Sequence, residues 1–280
     1  MPSSTHGFLA NEYLPSEEVI IARCRQVGFT ASGTTLLDQS SQSVIAWIKY
    51  GPNVTISEAL TQDWTAKALD GTPACGLQVP RVFHAFTREN PSCTIGYIAM
   101  QFIDAPDCES GDVLQVATAV QTLIDLPAPG ATLGHIGGES IVHSFFLDWI
   151  PVADYKSVQD LNDHINNILK YMKDPRRVDL VADAKSGLCL CPCDIQPRNF
   201  KKRQDGQLFA LDFRATCFMP RSFVGVAMKK SQDTFGRRVA KQISYPLSDD
   251  VSAMLSVFNF LVPFGQNEVA FPQGLQRKAI

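Results

Sequence analysis

The feature that most constrains this fold is a change in hydrophobic period partway along the chain. Up to residue 103, short β-branched and aromatic runs alternate with turn residues. "TTLL" and "SVIAWIKYG" read as two strands around the turn "DQSSQ", and "QVPRVFHAFT" and "TIGYIAMQFID" as two more around "RENPS". Between these pairs lies "TISEALTQDWTAKALDG", which reads as a helix. Thr55 stands at its N-cap, Glu58 three residues on, and Gly71 at its stop. The first 30 residues add one helical segment, "SEEVIIARCRQV".

After the polar, turn-rich stretch "APDCESGD" the period becomes helical. "DVLQVATAVQTLIDL", "SVQDLNDHINNILKYMK", "DTFGRRVAKQI" and "SDDVSAMLSVFNFLV" all space their apolar residues for helices. Two short strands, "LCLC" and "QLFALDF", interrupt them as a small hairpin with "DGQ" at a turn. The pattern predicts an α+β, bilobal architecture. Residues 1–103 form a small antiparallel β lobe with one inserted helix, led by the helical segment in 1–30. Residues 104–280 form a larger, mainly helical lobe. A cleft between lobes is the expected place for a ligand.

Composition narrows the partners. The 280 residues carry a net charge of −3, and 45% are hydrophobic, enough for more than one core. No basic excess points to nucleic acid or to an anionic membrane surface. No basic-then-apolar leader and no membrane-spanning run is visible, and the eight cysteines are scattered apart from "CLCPC". Free thiols in a reducing, cytoplasmic setting are the expectation.

One order of polar residues carries chemistry. Lys49 is a lone cation on an apolar strand, and Glu58 opens the next helix. Further on, "DIQPRN" places Asp194 five residues before Asn199, and Asp212 closes the apolar run "LFALD". In protein-kinase-like phosphoryl transfer a strand lysine holds the α- and β-phosphates and a helix glutamate orients it. A loop aspartate takes the proton of the attacking hydroxyl, and an asparagine and a second aspartate hold magnesium. Each residue also fits a plainer role. Lysines at strand ends usually point to solvent, Thr55 and Glu58 fit a capping box, and Asp and Asn favour turns.

The stretches "KYGPNVTISEA", "VPRVFHAF", "YIAMQFID", "DIQPRNF" and "ALDF" together resemble the fungal aminoglycoside phosphotransferase-like (choline-kinase-like) small-molecule kinases, over residues 30–265 or so. The resemblance implies an ATP- and magnesium-dependent phosphotransferase acting on a small alcohol. It implies Asp194 as catalytic base, Asn199 and Asp212 as magnesium ligands, and Lys49 and Glu58 as the phosphate-binding pair. It also implies an adenine-binding hinge at Met100–Ile103, with Gln101 and Ile103 supplying backbone groups.

The chain departs from the family where His-Gly-Asp is usual and Pro192-Cys193-Asp194 stands instead. Pro192 has no N–H to donate, so the loop must be braced from elsewhere. Arg214 follows Asp212 closely, and "ASGTT" offers only Gly33 where a phosphate-covering loop is often glycine-rich. These departures motivate an alternative function: a kinase-like fold that binds a small molecule without phosphorylating it.

The remaining polar motifs have simpler readings. Cys189, Cys191 and Cys193 share one face of a strand, but no second Cys or His pair stands at zinc-ligand spacing, so they read as small buried residues. His84 in "VFHAF" reads as a strand residue. The acceptor pocket is expected from "GHIGGESIVHSFFLDW" and "FNFLVPFG", aromatic walls poor in carboxylate and ill suited to a polycation.

Overall fold

The computed structural model describes residues 6–278 except 32, 39, 71–75, 92, 139–140, 232, 247 and 265–268. Its contacts divide the chain into two compact units. The first is Met1–Asp107 with Phe200–Arg214, and the second is Cys108–Asn199 with Ala215–Ile280. The first division falls at residue 107, where the sequence pattern placed it at 103. Residues 200–214, read from sequence as part of the helical lobe, return to the first unit.

In the first unit, α1 (Glu17–Val27) precedes β1 (Gly33–Leu37) and β2 (Val44–Gly51), followed by α2 (Ile56–Asp70). Then come β3 (Leu77–Gln78), β4 (Val82–Glu89) and β5 (Thr94–Met100). Strands β1, β2, β5 and β4 form an antiparallel sheet in that order. Side chains alternate across a strand, so β2 sorts its residues between two faces. Ala46, Ile48 and Tyr50 pack with Ile20 and Cys24 of α1. Trp47 packs on the other face with Ala59 and Leu60 of α2. Lys49 shares the parity of Trp47, so it lies on the α2 side.

The sheet comes close to the chain leading into α2 at Gly96. A Cβ there would lie 1.9 Å from the Val54 carbonyl oxygen, so only glycine fits. Thr55 Oγ1 accepts from the Glu58 amide at 3.1 Å, which sets the start of α2. The Gly71 stop lies outside the described residues. α2 buries much polar surface: Thr61 and Thr65 hydroxyls bond carbonyls one turn back, and Gln62 donates to the Pro80 carbonyl at 2.8 Å.

The second unit holds α3 (Val113–Asp125), α4 (Val158–Tyr171), α5 (Leu180–Asp183) and β6 (Cys189–Pro192). The chain then passes through β7 (Phe200–Lys202) and β8 (Leu208–Ala210) of the first unit. It returns to the second with β9 (Thr216–Met219), α6 (Arg221–Lys229), α7 (Thr234–Ala240) and α8 (Asp249–Leu261). Four short strands stand where the sequence pattern showed two. β7 and β8 form the hairpin around "DGQ", with Gly206 at φ +87°, and β3 joins β8 in parallel. β6 pairs instead with β9, in the register Cys191 to Cys217 and Pro192 to Thr216.

α3 and α6 pack on β6, α8 packs on α4 and α6, and α7 packs on α3 and α6. α4 starts with a capping box in which Ser157 and Asp160 exchange hydrogen bonds. Its buried face is Leu161, Ile165, Ile168 and Leu169. Each such side chain contributes about 1.5–3 kcal/mol on burial. Among the described residues, no helix is long and apolar enough to cross a membrane.

Candidate active-site residues

Three of the residues singled out from sequence meet in the first unit. Lys49 Nζ lies 2.5 Å from Glu58 Oε1 and 2.7 Å from Asp212 Oδ1. Strand parity points Lys49 towards α2, and the Thr55 cap places Glu58 in that helix's first turn. Glu58 therefore fills two roles: its amide caps the helix, while its carboxylate turns to the lysine and not back to the cap.

Burial works against the Lys49 ammonium, but Glu58 and Asp212 outweigh it and hold its pKa above the ordinary value. Burial raises the pKa of Glu58 despite the ammonium beside it. Asp212 is also partly buried, yet Lys49 holds its carboxyl below the usual range, helped by the Arg214 amide and charge. One cation thus faces two carboxylates, and Glu58 Oε2 is buried without a hydrogen-bond partner. The cluster has room for more positive charge.

Asp212 has φ +56°, a left-handed backbone that Asp tolerates better than most residues. Arg214 enters chiefly through its backbone, donating from its amide to Asp212 Oδ1 at 3.3 Å. Gly33 of β1 pairs directly with Lys49 of β2, and a Cβ there would sit 2.5 Å from Trp47 Cζ2. Strand packing therefore accounts for this glycine, and Gly33–Thr35 lie within β1. Ser32 of "ASGTT" lies outside the described residues.

At the hinge segment, the Gln101 amide donates to the Arg81 carbonyl at 2.8 Å, which leaves the Gln101 carbonyl as the backbone group it can present. Ile103 is buried, and its carbonyl accepts from Ala105 at 3.1 Å.

Asp194 and Asn199 lie in the second unit, in the loop after β6. Asn199 Nδ2 donates to the Asp194 carbonyl at 2.8 Å and to Asp194 Oδ2 at 3.0 Å. The Gln196 side-chain amide donates to Asp194 Oδ1. Cys193 N donates to the Ala215 carbonyl at 2.9 Å, extending the β6–β9 ribbon into the loop. The bracing that Pro192 cannot give thus comes from Asn199, Gln196 and strand β9.

Asp194 borders a cavity of about 410 Å³ that Phe146, Asp148, Trp149, Lys230 and Phe258 also line. The segments expected to wall an acceptor pocket do contribute Ser144, Phe146–Trp149 and Phe258. The "GHIGG" stretch lines a separate cavity of about 300 Å³ with Pro129 and Phe218. Glu139 and Ser140 lie outside the described residues. The expectation of few carboxylates is corrected: Asp148, Asp194 and Asp233 all line the larger cavity. Asp233, on the turn into α7, falls outside both stretches.

Lys230 was not legible as a site residue. It follows α6, a helix absent from the sequence reading, and a lysine after an apolar run normally reads as solvated. The cysteines behave as buried small residues. Cys189 Sγ lies 3.9 Å from Cys191 Sγ, and burial pushes the Cys191, Cys193 and Cys217 thiols up. The described residues hold no group of three His, Cys, Asp or Glu side chains disposed to hold a metal ion. His84 Nε2 lies 2.9 Å from Glu17 Oε1, a bridge between β4 and α1.

No protein-family model matches this chain, and no curated protein matches it. Solved structures with a similar course of the chain include a microcompartment-associated aminopropanol kinase, at 12% identity and TM-score 0.45 over 87% of this chain and 86% of that one. A thermostable mutant of the aminoglycoside phosphotransferase APH(4)-Ia is 13% identical, with TM-score 0.45 over 89% and 92%. Choline kinase LicA from Streptococcus pneumoniae is 12% identical, with TM-score 0.38 over 88% and 92%.

Proposed function

We propose that this chain transfers the γ-phosphoryl group of ATP to the hydroxyl of a small metabolite. The observation that carries the reading is Lys49, held between Glu58 and Asp212. A strand lysine fixed by a helix carboxylate is the device that grips the α- and β-phosphates in kinase-like catalysis. In this reading Lys49 binds the phosphates and Glu58 orients it. Gln101 and Ile103 contact adenine through backbone groups. Asp194 accepts the acceptor's proton as the hydroxyl attacks.

Asn199 and Asp212 fit a magnesium ion chemically. With its Nδ2 given to Asp194, Asn199 keeps Oδ1, and Asp212 keeps the oxygen that does not bond Lys49. Both are the hard oxygen donors that Mg²⁺ takes, and the excess of carboxylate over ammonium beside Lys49 favours a cation. Magnesium, when bound, would neutralise charge on the phosphates. Asn199 ties together the base and the metal role, because the same side chain fixes Asp194 through two hydrogen bonds.

The test is ATP turnover with a panel of small alcohols, with and without magnesium. Magnesium-dependent turnover that Asp194→Ala and Asp212→Ala each abolish is the expected result. Nucleotide binding with no transfer to any acceptor would favour a binding protein. No nucleotide binding at millimolar ATP and magnesium would overturn the reading.

A further inference from the structure

The Asp194 cavity contains a cation that is held in place but not neutralised. Lys230 Nζ donates to the Ser144 carbonyl and lies over the Phe258 ring, 2.7 Å from its centroid. Both partners are uncharged. Among the described residues Lys230 makes no ion pair, although three aspartates line the same cavity.

Two of those aspartates are already engaged. Asp194 accepts from Gln196 and Asn199, and Asp233 Oδ1 accepts from the Gly236 amide at 2.6 Å to cap α7; these neutral donors hold the carboxylates away from Lys230 Nζ without cancelling their charge. The third, Asp148, is exposed. Burial lowers the Lys230 pKa to about 8, which leaves the ammonium mostly charged at neutral pH. A partly desolvated cation with spare N–H donors, fixed by a carbonyl and a ring, is a receptor for an anionic group. A carboxylate arriving there would restore the interactions that burial removed. An alcohol without one would leave the cation unsatisfied.

We infer that Lys230 is a specificity-determining residue of the acceptor pocket, and that the acceptor is a small hydroxylated carboxylic acid whose carboxylate pairs with Lys230. This inference rests on the phosphotransferase reading for the word acceptor, but its test does not. Binding is measured by calorimetry without nucleotide, using matched pairs: glycerate against glycerol, and homoserine against 3-amino-1-propanol. Inorganic phosphate serves as a control for any anion.

The wild type should bind the carboxylate member about tenfold or more tightly than its partner. Lys230→Met should bring that ratio close to one, and Lys230→Arg should retain most of it. Because the readout is a ratio within one variant, a partly destabilised protein still reports it. Three results would overturn the inference: no binding of any carboxylate member, a ratio near one in the wild type, or a ratio unchanged in Lys230→Met. Inorganic phosphate binding as tightly as the carboxylates would also count against it, as a general anion site. Carboxylate binding through Lys230 without ATP turnover would retain the inference and defeat phosphoryl transfer. Turnover confined to neutral or cationic alcohols would do the reverse.

Discussion

Removing the Lys49 ammonium should destabilise the first unit strongly, and more so as pH rises. Glu58 is 1% exposed, its Oε1 bonds Lys49 and its Oε2 has no partner. In Lys49→Met a buried carboxylate loses the one cation that the structure pairs with it directly, leaving only the more distant Arg214 charge. Breaking a buried pair from one side costs about 3–5 kcal/mol. With an m-value near 2 kcal/mol/M, a loss of about 4 kcal/mol lowers the urea midpoint by about 2 M.

The pH dependence follows from the raised pKa of Glu58, which must rise further without Lys49. A carboxyl with a raised folded pKa is neutral in both states at low pH, and stability is lost as pH climbs towards the folded value. The deficit of Lys49→Met should therefore be smaller at pH 5 than at pH 8. Lys49→Met/Glu58→Leu should recover most of it, because replacing both partners removes the unpaired charge. The assay is urea unfolding by tryptophan fluorescence, since Trp47 and Trp64 both belong to the first unit. A deficit below about 1 kcal/mol, equal at both pH values, is the behaviour of an exposed ion pair and would refute this account of the cluster.

Other predictions address separate parts of the chain. Gly96→Ala should cost about 1–3 kcal/mol in urea unfolding, because its Cβ would overlap the Val54 carbonyl. Asp233→Ala removes the cap of α7 and should cost about 1 kcal/mol, with Asp233→Asn largely neutral. His143 is fully buried, donating towards the Phe223 carbonyl and accepting from the Phe145 amide, and burial lowers its pKa to about 3. A histidine with a depressed pKa keeps its stability above its unfolded value near 6.5 and loses about 1.4 kcal/mol per pH unit below it, down to about 3. Acid unfolding of His143→Gln should lack that slope between pH 6 and 4.

Much of the first unit was legible because its signals are local. The alternation in "SVIAWIKYG" sets strand β2 and the face of Lys49, and Thr55 with the amide of Glu58 sets the start of α2. The contacts divide the chain at residue 107, inside the polar stretch 105–112 and not at 103. What escaped depends on long-range pairing. β7 and β9 are three and four residues long, too short to show a period, and are strands because β8 and β6 offer them edges. The return of 200–214 to the first unit rests on long-range contacts: β3, two residues long, pairs in parallel with β8, Lys201 bridges Asp107, and Asp212 bonds Lys49. α6 was hidden because "RSFVGVAMK" is only nine residues long and carries Gly225 at its centre, which weakens a helix reading.

At the site the same division holds. The types and order of Lys49, Glu58, Asp194, Asn199 and Asp212 could be read. The contact of Lys49 with Asp212, 163 residues apart, could not. Nor could the bracing of Asp194 by Gln196 and Asn199, or the unpaired state of Lys230, since both follow from backbone geometry that no spacing rule supplies.

The central claim is that the lysine between two carboxylates is a nucleotide-phosphate grip. Calorimetric titration with a nonhydrolysable ATP analogue, with and without magnesium, tests it most directly. The account predicts binding that strengthens with magnesium, falls about tenfold or more in Lys49→Gln, and loses its magnesium dependence in Asp212→Asn. Absence of binding in the wild type, or equal affinity in a folded Lys49→Gln, would contradict it.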